Sequence, residues 1–235
     1  MHFPLLIFFG ILPSIVWLLF FVRKDAHPES NRMVIKIFLC GMLAAVPAVL
    51  AEAGIINLLN ELKLPLIFLT FLSAFVAIAL IEEIFKYGVV KIKVLNHPEL
   101  DEPVDVMLYM IIAALGFAAA ENVLVLSSLE PNFLFKEMVA ASILRFWGAT
   151  FLHALCSGTL GYFLALSIFK ARGKGITLIA GLVIAVLLHG LYNFSIMELA
   201  GSFSFLIPII ILTTLAGFLV LAFKNLKKMK SVCKI

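Results

Sequence analysis

The stretch Glu82-Glu83-Ile84-Phe85-Lys86 lies inside an apolar run that covers approximately residues 64–94. Each ionised side chain at the centre of a membrane-spanning helix costs roughly 2.5–3.5 kcal/mol, so such groups persist where they pair, bind an ion or take part in chemistry. In a helix, Lys86 lies on the same face as both glutamates. Two carboxylates this close do not both ionise easily in a low dielectric unless a cation lies beside them. The stretch therefore predicts a membrane-spanning helix that carries a catalytic or metal-binding group.

The composition of the whole chain is that of a membrane protein. Of its 235 residues, 63% are hydrophobic and 14% are charged, and the mean hydropathy is +1.15. Soluble domains carry about 25% charged residues. The formal charge of +4 does not indicate a nucleic acid partner, because the basic residues cluster at the ends of apolar runs. We expect a single integral membrane domain over residues 1–235, with the lipid bilayer as its surroundings.

Runs of about 20 apolar residues predict an all-α bundle of seven membrane-spanning helices. The expected spans are approximately residues 3–22, 34–59, 64–94, 105–129, 137–169, 175–199 and 203–224. The fifth span is too long for one upright helix, so we expect it to tilt or to break near Trp147-Gly148. The acidic stretch before the fourth span reads as a solvated loop, with Asp105 as the N-cap of the helix.

Basic residues predict the orientation of the bundle in the membrane. With seven spans, the loops on one side hold only Lys63 and Lys136, and the other side carries all the clusters of lysine and arginine. That side is expected to be cytoplasmic, which places the N-terminus outside and the C-terminus inside. Its basic residues are Arg23, Lys24, Arg32, Lys36, Lys91, Lys93, Lys170, Arg172, Lys174, Lys224, Lys227, Lys228, Lys230 and Lys234.

Polar groups also interrupt the fourth, fifth and sixth predicted spans. They are Glu121, Asn122, Arg145, His153, His189 and Asn193. At 1.5 Å per residue, Glu82, Glu121, His153 and His189 each lie about 20–25 Å from the cytoplasmic end of their helix. The hydrocarbon core is about 30 Å thick, so these four side chains are expected to meet at one depth in its outer half.

Carboxylates and two imidazoles at one depth predict a zinc site, with Glu121, His153 and His189 as ligands and water at an open position. Such a metal polarises a peptide carbonyl and makes hydroxide available near neutral pH. Glu82 or Glu83 would take the proton of the water and pass it to the leaving amine, and the choice between them stays open. Candidates to orient ligands or to stabilise an oxyanion are Lys86, Arg145, Asn122 and Asn193.

Two other classes of function use similar groups. Acidic, basic and histidine side chains inside spans serve as relays in proton- or cation-coupled transporters. Transporters often show internal repeats and paired broken helices, and neither is visible in this sequence. A non-catalytic membrane scaffold is the other alternative, in which the polar cluster only packs helices. Single residues also have structural interpretations: Lys86 can extend to the membrane interface, and Arg145 can mark the interfacial start of the fifth span.

The motifs, in their order and spacing, resemble the PrsW family of intramembrane metalloproteases over about residues 80–195, with a core of about 64–200. The matching patterns are Glu-Glu-x-x-Lys at 82–86, Asp-Glu-Pro-x-Asp at 101–105, Gly-Phe-Ala-x-x-Glu-Asn at 116–122, Arg145 eight residues before His153, and His-x-x-x-Asn at 189–193. This family is similar to the CaaX prenyl endopeptidases and the bacteriocin-processing enzymes. It is also similar to the non-catalytic scaffold subunit of γ-secretase.

The resemblance implies that Glu82 and Glu83 are essential acids and that His189 is an essential histidine. Glu121 and His153 would complete the site. The expected reaction is metal-dependent peptide-bond hydrolysis in or near the membrane, with a divalent cation such as zinc. The substrates implied are single-pass membrane proteins such as anti-sigma factors, cut near the outer face of a prokaryotic plasma membrane.

Overall fold

A computed structural model describes residues 3–24, 27–128, 135–169 and 174–229 of the chain. The secondary structure over these ranges is helical, without β-strands. Seven helical segments are long and apolar enough to cross a membrane, which confirms the predicted number of spans. These segments are Pro4–Val22, Asn31–Glu61, Leu66–Lys93, Pro103–Ser127, Phe135–Phe169, Gly175–Glu198 and Phe203–Leu226. The chain is thus an all-α bundle.

The orientation remains a prediction. Four of the basic residues on which it rests, Lys170, Arg172, Lys230 and Lys234, lie outside the described residues, as does the side chain of Lys174.

Two of the seven spans are not single α-helices. The fifth span breaks at Gly148, which is one of the two arrangements expected from the sequence, and the third contains a π-helical segment that the sequence did not predict. The helices are α1 Phe3–Val22, α2 Asn31–Glu61, α3 Leu66–Leu72, α4 Ile81–Lys93, α5 Pro103–Ser127, α6 Phe135–Trp147, α7 Ala149–Phe169, α8 Lys174–Glu198 and α9 Phe203–Leu226, with the π-helical segment Ser73–Leu80 between α3 and α4.

The central helix is α5, whose side chains are buried almost continuously from Pro103 to Ala119. A helix that is apolar on all sides belongs inside a bundle, and α5 packs against α1, α2, α4, α6, α7 and α9. It crosses α2 closely: a Cβ at Gly41 would lie 2.1 Å from the carbonyl oxygen of Ala113, and one at Gly116 would lie 2.0 Å from that of Phe38. Glycines on both helices therefore let the two backbones meet.

The start of α5 differs from the predicted one. Glu102 is the N-cap and Pro103 occupies the first turn, where a missing N–H costs nothing. The side chain of Asp105 accepts hydrogen bonds from the backbone N–H groups of Glu102 at 2.6 Å and Asp101 at 3.2 Å. The prediction that Asp105 is a solvated N-cap is therefore wrong, because its buried carboxylate forms the second half of a capping box.

The π-helical segment Ser73–Leu80 comes directly before the first turn of α4, which holds Glu82 and Glu83. Such wide turns are found mostly at functional sites. The segment packs against α2 and α8. On α8, a Cβ at Gly190 would lie 2.5 Å from the ring of Phe75, so the ring packs directly on the backbone of α8 there. This contact lies next to His189 and brings α8 against the span that carries both glutamates.

Candidate active site

Charged and imidazole side chains from α4, α5, α6, α7 and α8 meet in one cluster. Its members are Glu82, Glu83, Lys86, Glu121, Arg145, His153 and His189. The structure thus brings together residues that the sequence places on separate spans. The convergence agrees with the common depth derived from the helical rise.

The ammonium of Lys86 lies at the centre of the cluster. Its Nζ donates hydrogen bonds to Glu82 Oε2 and Glu83 Oε1, both at 2.9 Å, and lies 2.7 Å from His153 Nδ1. The ring centroid of Phe117 is 4.7 Å from the same atom. The Lys86 side chain is completely buried. The interpretation in which Lys86 extends to the membrane interface is therefore wrong.

Glu83 is engaged on both carboxylate oxygens. Its Oε1 contacts Lys86 and lies 3.2 Å from His189 Nδ1, and its Oε2 accepts a hydrogen bond from Ser157 Oγ at 2.7 Å. The side chain has no exposed surface. A carboxylate on one nitrogen of an imidazole fixes the orientation of the ring. The other nitrogen, His189 Nε2, lies 3.8 Å from Glu82 Oε2.

His153 has a similar arrangement around its own ring. Its Nε2 lies 2.8 Å from Glu121 Oε2, and its Nδ1 lies 3.4 Å from Glu82 Oε2. In each histidine, one ring nitrogen faces an outer carboxylate and the other faces Oε2 of Glu82. The outer carboxylate is that of Glu121 for His153 and that of Glu83 for His189.

Arg145 points into the cluster from α6. Its Nη2 donates to Glu121 Oε1 at 2.7 Å, and its Nε donates to Asn122 Oδ1. The amide of Asn122 in turn donates to Thr150 Oγ1 at 3.0 Å. Arg145 therefore pairs with the acid beside His153 and does more than mark the start of a span.

The donor atoms of Glu82, His153 and His189 all lie within 4.8 Å of one another, and all three residues are buried. Two imidazoles and one carboxylate form one of the ligand sets of catalytic zinc. Two of the donors, Glu82 Oε2 and His153 Nδ1, lie 2.9 and 2.7 Å from the ammonium of Lys86, a cation that a metal at this place would replace. The chemistry of the three donors fits a divalent metal. Glu121, which the sequence predicts as the third ligand, lies on the far side of the His153 ring and is not part of this group of three.

A cavity of about 780 Å³ opens onto one side of the cluster. Its charged, imidazole and amide lining residues are Glu82, Glu121, Arg145, His153, His189 and Asn193. Glu83 and Lys86 are not among its lining residues. The cavity extends to Leu199 and Ser204, which flank the turn between α8 and α9.

Two residues of the site were missed at the level of sequence. Ser157 lies four residues after His153, and Thr150 lies three residues before it. Both spacings place a hydroxyl on the same helix face as His153, and this spacing could have predicted that the two residues belong to the site. Small hydroxyl residues are common in membrane helices, so the spacing alone did not separate them from packing residues.

Comparisons with known proteins agree with the geometry. A family model described as PrsW family intramembrane metalloprotease matches residues 29–222. A protein named Protease PrsW from Oceanobacillus iheyensis is 29% identical over 205 residues, covering 86% of this chain and 88% of the relative. Proteins of the same name from Geobacillus kaustophilus and Bacillus subtilis are 30% and 29% identical, covering 78% and 95% of this chain and 76% and 94% of their own.

No solved structure gives a significant match. The family match covers most of the chain and includes every residue of the cluster, and the seven spans make the chain a multi-pass membrane protein. The chain belongs to the PrsW family of intramembrane metalloproteases.

Proposed function

We propose that this chain is an endopeptidase that hydrolyses peptide bonds of single-pass membrane proteins, with zinc held by Glu82, His153 and His189. The observation that carries the proposal is the approach of these three donors to within 4.8 Å of one another on the wall of a large cavity. Zinc in such a site polarises the peptide carbonyl and makes hydroxide available near neutral pH. Among the described residues, Glu82 Oε2 is the one carboxylate oxygen that faces both His153 Nδ1 and His189 Nε2.

Glu121 is the carboxylate that we assign to proton transfer. It lines the cavity, and Arg145 holds its Oε1. Its Oε2 is buried and lies 2.8 Å from His153 Nε2. The carboxyl group of Glu121 can take a proton from water at the cavity wall as the water oxygen attacks the carbonyl carbon. The same carboxyl then gives the proton to the amine nitrogen when the C–N bond breaks.

The remaining polar residues position these groups. Asn193 lies on the cavity wall one helical turn after His189, so its amide N–H can donate to the oxyanion of the tetrahedral intermediate. Glu83 is not exposed to the cavity, which favours a role in orienting His189 over the role of base. Lys86 balances the charge of both adjacent glutamates.

The walls of the cavity support a membrane-spanning substrate. Leu144 of α6 and Phe205 of α9 line the cavity and are 73% and 72% exposed on the surface of the bundle. An apolar segment in the bilayer can therefore reach the cavity from the side. The turn between α8 and α9 lies on the predicted outer face, where water can enter. We therefore propose anti-sigma-factor-like substrates, cut near the outer face of the bacterial plasma membrane by a chain that forms one domain.

The test measures zinc content and cleavage together in purified protein with a single-pass model substrate. Glu82→Gln and His189→Ala should lose both zinc and cleavage. Glu121→Gln should retain zinc but cleave about 10²–10⁴-fold more slowly, since it removes only the proton carrier. Glu61→Gln, at the exposed end of α2, is the matched loss of a carboxylate and should change neither.

Cleavage that survives Glu82→Gln, His189→Ala and a chelator would exclude a metalloprotease at this site. Loss of zinc in Glu121→Gln would instead show that Glu121 is a zinc ligand. Cleavage at the wild-type rate in that variant would exclude it as the proton carrier.

A further inference from the structure

A second cavity, of about 330 Å³, lies between α1, α7 and α9. It shares no lining residue with the cavity of the candidate active site. Its walls are apolar and mostly aromatic, and three lysines line it at the end where α1 and α9 terminate. The combination of an apolar groove and a cationic end is the feature from which a ligand can be inferred.

Stacked rings form the floor of this groove. The ring of Trp17 stacks on that of Phe151 at a centroid distance of 4.2 Å and an interplanar angle of 11°. The rings of Phe21 and Phe223 also stack, at 6.4 Å. The indole N–H of Trp17 donates to the carbonyl of Phe146 at 2.9 Å, so it presents no unsatisfied donor to the groove. A surface of this kind accommodates a hydrocarbon chain and offers nothing to a polar ligand.

The cationic end consists of Lys24, Lys224 and Lys227, all exposed. The ammonium of Lys227 donates to the carbonyl of Lys24, and that of Lys24 lies 4.5 Å from the ring centroid of Phe20. Among the described residues, no carboxylate forms an ion pair with any of the three, and none lines the groove. In the part of the chain that the structure describes, no carboxylate therefore balances the positive charge at this end.

We propose that the groove binds one anionic phospholipid, with an acyl chain along the aromatic floor and the phosphate of the headgroup among the three lysines. In the predicted orientation this end lies at the cytoplasmic leaflet. A lysine near an anionic membrane surface contributes about a fivefold preference for negative charge, so three lysines contribute about 100-fold. A zwitterionic lipid fits the floor but leaves the cationic end unbalanced, and inorganic phosphate lacks the acyl chain.

The charge of the headgroup is tested by native mass spectrometry of the full chain, with phosphatidylglycerol and phosphatidylcholine of identical acyl chains. The wild type should retain one phosphatidylglycerol, with a preference of about 100-fold. The triple variant Lys24→Gln/Lys224→Gln/Lys227→Gln should lose that preference.

The matched control for charge is the triple variant Lys36→Gln/Lys91→Gln/Lys93→Gln. It removes the same charge from exposed lysines on the same predicted side and should keep the preference. Equal retention of both lipids by the wild type would overturn the proposal. An equal loss of preference in the control variant would show that only the general surface charge attracts the lipid.

The apolar floor is tested separately by Ala216→Phe, which fills the groove without changing its charge. Retention of phosphatidylglycerol should fall at least tenfold. Gly217→Phe adds the same ring one residue further on, where a Cβ meets nothing within 4 Å, and should retain the lipid.

Displacement of the lipid by inorganic phosphate alone would exclude the acyl chain from the interaction. A second protein copy in the groove would appear as a dimer that excludes the lipid, and this also contradicts the proposal.

Discussion

Replacement of Lys86 by methionine removes the central cation of the site while keeping a side chain of similar length. The ammonium has hydrogen bonds of 2.9 Å to each of Glu82 and Glu83 and lies 2.7 Å from His153 Nδ1. None of this side chain is exposed to solvent. The substitution therefore leaves two adjacent buried carboxylates without their common partner. The loss of one partner of a buried ion pair costs about 3–5 kcal/mol of unfolding free energy.

The measurement is equilibrium unfolding in mixed micelles, with a chelator present so that no metal replaces the lost charge. Lys86→Met should be about 3–5 kcal/mol less stable than the wild type. Lys91→Met is the matched control on the same helix, because Lys91 is exposed and its ammonium lies 5.9 Å from the centroid of the Tyr87 ring, without an ion pair to any described residue. That variant should stay within about 0.5 kcal/mol of the wild type.

A second substitution tests whether the cost comes from the unpaired acids. Lys86→Met/Glu83→Gln should regain about 1 kcal/mol or more, since it removes one of the two unpaired charges. Zinc at about 100 times its dissociation constant should stabilise the wild type by about 2.7 kcal/mol. It should stabilise Lys86→Met at least as much, because a divalent ion beside Glu82 takes the place of the ammonium. A loss of less than about 1 kcal/mol in the chelated variant would refute the idea that Lys86 offsets the charge of the glutamates.

Two further substitutions test the packing around the site. Gly116→Ala should destabilise the protein by about 1–3 kcal/mol, because its Cβ would lie 2.0 Å from the carbonyl oxygen of Phe38. Gly54→Ala, in an open part of α2, should instead stabilise it by about 0.5–1 kcal/mol, and equal effects in thermal unfolding would contradict the close crossing. Ser157→Ala should cost about 1–3 kcal/mol, because it leaves Glu83 Oε2 without its donor. An unchanged unfolding free energy in that variant would show that the hydroxyl does not support the carboxylate.

The depth of the active-site residues could be predicted from the sequence because the rise of an α-helix is constant. Counting residues from the helix ends placed Glu82, Glu121, His153 and His189 at one level, and the structure brings them into contact. The number of spans followed from the length of the apolar runs for the same reason. These predictions give only the position of each residue along the membrane normal.

Rotation about each helix axis could not be predicted in this way. The rotation of α5 decides whether Glu121 faces the space between the two histidines or the opposite side of the His153 ring. In the structure, Glu121 lies on the opposite side of that ring. That rotation depends on how α5 packs against its neighbours. The π-helical segment Ser73–Leu80 also makes the rotation of α4 hard to predict, because its wide turns change the direction in which the side chains of α4 point. No residue type in the segment predicts a π-helix.

The adjacency of Glu82 and Glu83 has a consequence for their roles. Consecutive residues on a helix do not face the same direction. Glu82 accordingly lines the cavity, whereas Glu83 points to Ser157 and His189. The exposed fraction of the side chain rises from 0% at Glu83 to 6% at Glu82 and 25% at Glu121. Only a group in contact with the cavity can exchange a proton with water, so this order supports our proposal that Glu83 positions a histidine, Glu82 holds the metal and Glu121 carries the proton.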